Sequence, residues 1–60
     1  MTDKDLHEML STRALALGVP MFDQRVVDLT ILHIIRQSRF ATYDIARRRI
    51  AAYYAAYTRR

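Results

Sequence analysis

The chain has no cysteine. That excludes disulfides and thiolate metal sites, two of the staples on which small domains commonly rely. Glycine and proline occur once each, as Gly18 and Pro20, so residues 21–60 run without either of the strongest helix breakers. No uncharged apolar run reaches the roughly 18 residues that a transmembrane helix needs. No basic stretch followed by an apolar run marks a secretory leader, so the expected location is the cytoplasm. Histidine is scarce. His7 and His33 each lack a second histidine, a cysteine or a carboxylate pair at ligand spacing, so no metal and no cofactor is expected.

What is present is apolar and basic. Hydrophobic residues make up 52% of the chain, a high share for a small domain that buries only a modest fraction of its surface. The net charge of +4 is unevenly placed. Residues 1–20 are slightly acidic through Asp3, Asp5 and Glu8, and residues 41–60 set five arginines against Asp44. All the basic residues but Lys4 are arginine, whose planar fork suits carboxylate and phosphate partners. A basic end of this kind points to an anionic partner: nucleic acid, a membrane surface or an acidic protein.

The pattern is helical throughout. Thr2 or Asp3 can cap a first helix, and Leu6, Met9, Leu10, Ala14 and Leu17 line one face of it. Gly18 suits a left-handed C-terminal cap, and Pro20 suits the first turn of a following helix. The reading is all-α in one domain over residues 1–60. A helix spans about residues 3–17, a turn 18–20, and a long helix about 21–58, with a bend near 38–42 where Ser38 and Thr42 could cap. Such a hairpin pairs a short helix with one of roughly 55–60 Å at 1.5 Å per residue.

Read with a seven-residue period, the long helix carries two apolar stripes. One runs through Phe22, Leu29, Leu32, Tyr43, Ala46, Ile50, Tyr53 and Tyr57; the other through Val27, Ile31, Ile34, Ala41, Ile45, Ala52 and Ala56. One short helix cannot cover both, so a homodimer is expected, with Val27, Leu29, Ile31, Leu32, Ile34 and Ile35 as its core and seam.

The candidate partner-binding surface is Tyr43, Arg47, Ile50, Tyr53, Tyr54 and Tyr57. Tyrosine and arginine are enriched at binding hot spots, and tyrosine tolerates a surface that is sometimes wet and sometimes covered. Arg47, Arg48, Arg49, Arg59 and Arg60 are the candidate contacts to phosphate or to an acidic surface. The three consecutive arginines point about 100° apart, forming a collar, and Arg48 can pair with Asp44 one turn earlier. A helix-turn-helix reading of residues 31–35 and 42–46 fails for want of a turn residue between Arg47 and Tyr57.

No nucleophile stands beside a base and an orienting group, apart from Ser11 one turn from His7, a spacing common by chance. The sequence therefore reads as non-enzymatic. The favoured function is a small regulatory protein that binds and modulates another protein. The alternative is a small DNA- or RNA-binding protein using the basic C-terminal helix. A basic amphipathic helix lying on an anionic membrane surface fits less well, because the arginines are spread around the helix rather than segregated.

Overall fold

Thr2 opens the first helix with a reciprocal cap. Its hydroxyl accepts from the Asp5 amide at 3.2 Å, and the Asp5 carboxylate accepts from the Thr2 amide at 3.1 Å. In the computed structural model, which describes residues 2–59, helix α1 spans Asp3–Leu17. It ends on Gly18 at φ 69°, ψ 35°, where only glycine is at ease. The Gly18 amide donates to Leu15 O at 3.2 Å and the Val19 amide to Ala14 O at 3.1 Å, the bond pair of a Schellman cap.

Pro20 does not begin the next helix. The Asp23 amide donates to Pro20 O at 3.0 Å, closing a turn, and Asp23 rather than Pro20 starts the helix. Its carboxylate accepts from the Arg25 amide at 2.9 Å, so α2 spans Gln24–Gln37.

The single long helix is not formed. The chain folds as three helices, with α3 spanning Tyr43–Thr58, and no strand occurs among the described residues. Ser38 is extended at φ −135°, ψ 127°, and Thr42 is extended with its hydroxyl accepting from the Ile45 amide at 3.2 Å. Asp44 then lies in the first turn of α3, where the helix dipole favours it. The magnitudes explain the break. Intrinsic preference separates ordinary helix residues by no more than about 0.7 kcal/mol each. Burying one large apolar side chain yields roughly 1.5–3 kcal/mol. Folding back buries Ile50 and Tyr53 to 1% and 6% exposure, which outweighs continuing the helix through residues 38–42.

The core draws on all three helices. Leu6, Leu10 and Ala14 come from α1, Val26, Ile31 and Ile34 from α2, and Ala46, Ile50 and Tyr53 from α3. Thr30 is the one buried polar side chain among the described residues, and its hydroxyl donates to Val26 O at 2.8 Å. The break also exchanges the two apolar stripes. On α2 the inward stripe is Ile31 and Ile34, while Leu29 and Leu32 stay about half exposed. On α3 the other stripe turns inward through Ala46, Ile50 and Tyr53, and Ile45, Ala52 and Ala56 face out. Of the expected seam residues, Val27 and Ile35 are partly buried against the core. Leu17, expected in the core, is exposed. The longest Cα extent is 29 Å, about half that of the expected helix.

Candidate protein-binding groove

The tyrosines of α3 divide by position. Tyr53 is a core residue. Its hydroxyl lies 2.6 Å from Nδ1 of His7, joining α3 to α1. Tyr54 is half-buried and donates its hydroxyl to Met21 O at 2.5 Å, which ties α3 to the α1–α2 turn. Burial, and then the neighbouring Tyr53, push the Tyr54 phenol above its usual value of 10, so it stays a donor. Tyr43 and Tyr57 are exposed. The folded-back α3 brings its C-terminal half, with Tyr54 and Tyr57, onto the α1–α2 turn. Phe22 completes an aromatic cluster there, with ring centroids 4.5 Å from Tyr54 and 5.7 Å from Tyr57.

A groove of about 260 Å³ opens between α2 and α3. Val27, Ile31 and Ile50 line it with Phe22, Tyr43 and Tyr54; Gln24, Arg47 and Ala51 complete it. It gathers four of the six residues expected to bind a partner: Tyr43, Arg47, Ile50 and Tyr54. Ile50 serves as buried floor rather than as an exposed contact. Tyr53 and Tyr57 line instead a second depression of about 300 Å³ between α1 and α3, with Asp3, Lys4, His7 and Ala56. The sequence pattern joins Phe22 to Tyr43, Tyr53 and Tyr57 in one stripe but leaves it out of the candidate partner-binding surface. A local signal was present: Phe22 precedes the Asp23 cap and Val27 stands four positions after it, the two positions of a hydrophobic staple.

The arginines separate into distinct roles. Arg49 reaches α1, where its guanidinium meets the Asp3 carboxylate at 2.8 Å. Arg47 stands on the groove. Arg48 is exposed and makes no ion pair with Asp44 among the described residues, so that expected pairing is not formed. Arg59 caps the exposed end of α3, and Arg60 lies outside the described residues. Arg36 and Arg39 are exposed; Asp23 is held by Arg25 at 2.9 Å and Asp28 by Gln24 at 2.9 Å.

Ser11 donates to Glu8 O and His7 meets Tyr53, so Ser11 and His7 are turned to separate partners. No group of three metal-ligating side chains occurs among the described residues. No helix among them is long and apolar enough to cross a membrane. No protein-family model, curated protein or solved structure matches the chain.

Proposed function

We propose that this chain is a small, non-enzymatic cytoplasmic regulatory protein. It binds another protein through the Arg/Tyr surface of α3 and modulates that protein's activity. The observation that carries this reading is the α2/α3 groove, where an apolar floor, three aromatic rings and the Arg47 guanidinium meet in one place. Its volume lies below the roughly 300–1,000 Å³ typical of small-molecule sites, which suits a side chain of a macromolecular partner better than a free ligand.

We extend the proposal to a homodimer, with its seam moved. Ile31 and Ile34 are used within the chain, so self-association would use the outer face of α2, where Leu29 and Leu32 stay about half exposed. Exposed apolar patches favour such contacts.

A nucleic-acid reading keeps one observation in its favour: Arg36, Arg39, Arg47 and Arg48 make no ion pair with an acid of the chain among the described residues. The two readings separate in one experiment. The chain is used to capture partners from host lysate with and without nuclease, beside a Tyr43→Ala/Ala51→Glu variant. A protein partner retained after nuclease and lost in the variant supports the first reading. Capture that disappears with nuclease, and whose affinity falls steeply with salt as counterions are released, supports the second.

A further inference from the structure

The lining of the α2/α3 groove carries one formal charge. Arg47 supplies it, and no carboxylate is among the lining residues. Arg47 has no hydrogen-bond or ion-pair partner among the described residues. On α3 the positions 43, 47, 51 and 54 fall on one face by helical spacing, so this cation stands in line with Tyr43, Ala51 and Tyr54. We propose that the groove takes a short acidic segment of another protein, seating one bulky apolar side chain against Phe22, Tyr43 and Tyr54 and one carboxylate on the Arg47 guanidinium. This inference rests on the protein-binding reading and adds the chemistry of the partner.

Three features select this occupant. A space of about 260 Å³ suits one or two side chains, so the anchor is a single aromatic or branched aliphatic group. The Phe22 ring lies against Tyr54 at 4.5 Å, and Tyr54 is itself held by Met21 O, so the aromatic wall is tied down before a partner arrives. A preformed wall lowers the ordering cost of binding. An arginine fork prefers a carboxylate, with which it forms two parallel hydrogen bonds, and the net charge of +4 draws acidic rather than basic segments. A lysine-bearing segment would place like charge beside Arg47 with no acid in the lining to offset it. A phosphate chain could satisfy Arg47 but would leave the exposed faces of Phe22 and Tyr43 wet.

The test uses the isotope-labelled 60-residue chain and three synthetic peptides that share a central phenylalanine. Their flanking residues are Glu, Gln or Lys. The Glu peptide is expected to shift the methyl signals of Val27, Ile31 and Ile50 and the Arg47 Nε signal. Its affinity should exceed that of the Gln peptide about tenfold, in line with a charge-assisted pair. Arg47→Gln, on the exposed rim, should remove that difference while the methyl shifts persist. Equal binding of the Glu and Gln peptides in the groove overturns the acidic partner and leaves the protein-binding reading standing. No shift of the groove methyls with any peptide overturns both. Shifts produced by an oligonucleotide, or by raising the chain's own concentration, assign the groove to another occupant and overturn the proposal.

Discussion

The Tyr53 hydroxyl lies 2.6 Å from Nδ1 of His7, and this contact joins the middle of α3 to the start of α1 across 46 residues of sequence. The two rings meet edge to face, with centroids 6.3 Å apart. Tyr53→Phe keeps the buried ring and removes the bond. A hydrogen bond of this kind contributes about 0.5–1.5 kcal/mol, so denaturant titration should show a loss in that range. Tyr53→Ala empties a core position and should lower stability by about 3–5 kcal/mol, enough to unfold a domain of this size. A Tyr53→Phe variant as stable as the parent would show that the contact adds nothing to the fold.

The break at residues 38–42 is measurable as a distance. The chain has no cysteine, so two can be introduced for spin labels without background. Labels at Arg25 and Ala55 would be about 45 Å apart on an unbroken helix at 1.5 Å per residue. In the three-helix fold the longest Cα extent is 29 Å, and the measured separation should be correspondingly short. Thr42→Ala should weaken the start of α3 by about 1 kcal/mol through loss of the cap. A distribution centred near 45 Å would restore the hairpin.

Acid should destabilise the fold in a defined window. The Arg25 side chain and backbone amide, both bonded to the Asp23 carboxylate, hold that group down from 3.8 to about 2. Bonds to Thr2 lower Asp5 as well. A depressed carboxyl stabilises the fold above its unfolded value, and that contribution disappears as pH falls from about 4 towards 2. Asp23→Asn keeps a good helix cap but cannot titrate. Its stability should lie below the parent's at neutral pH, converge with it as pH approaches 2, and vary less between pH 4 and 2. An unchanged slope in this variant would assign the acid sensitivity elsewhere.

A second window lies higher. Burial, and then the charges of Arg13 and Arg36, push the His33 imidazole below its usual value of 6.5. The unfolded chain therefore binds the proton more readily. Stability should be complete above 6.5 and should decline as pH falls below it, until the folded value is passed. His33→Gln should flatten that part of the profile. A stability rise on acidification through this range would reverse the assigned direction.

Self-association and folding should respond to different residues of α2. Leu29→Asp with Leu32→Asp alters exposed positions and should convert a sedimenting dimer into a folded monomer. Ile31→Asp places a charge at a fully buried position and should prevent folding outright. A folded wild-type monomer at micromolar concentration would remove the dimer from the proposal.

The first helix was legible because its signals are local. Thr2 at one end, Gly18 at the other and leucines four residues apart need no knowledge of the rest of the chain. The division of residues 21–60 into two helices was not. Ser38 and Thr42 offer caps, yet nothing in their neighbourhood outweighs a long run of helix-compatible residues. The deciding contribution is the burial of Ile50 and Tyr53 against α1 and α2, which is tertiary. A single seven-residue period also carries an assumption of unbroken phase. Once residues 38–42 interrupt that phase, Leu29 and Leu32 part company with Ile50 and Tyr53, though periodicity had joined them. The groove followed the same logic: Tyr43, Arg47 and Tyr54 could be grouped on one helix, but Phe22 and Val27 reach them only through the fold.

The bond from Tyr54 to the Met21 carbonyl couples recognition to cooperativity. The groove has no local precursor: one wall belongs to α2 and the turn before it, and the other arrives with a helix that begins at residue 43. Detaching α3 therefore abolishes the recess at the same moment that it exposes the core. Any occupant that requires both walls binds only the assembled state and holds it together, by RT ln(1 + [L]/Kd). At a hundredfold excess over Kd that linkage amounts to about 2.7 kcal/mol, a large share of what a domain this small has in reserve. For such a chain, ligation and resistance to proteolysis are two readings of one equilibrium.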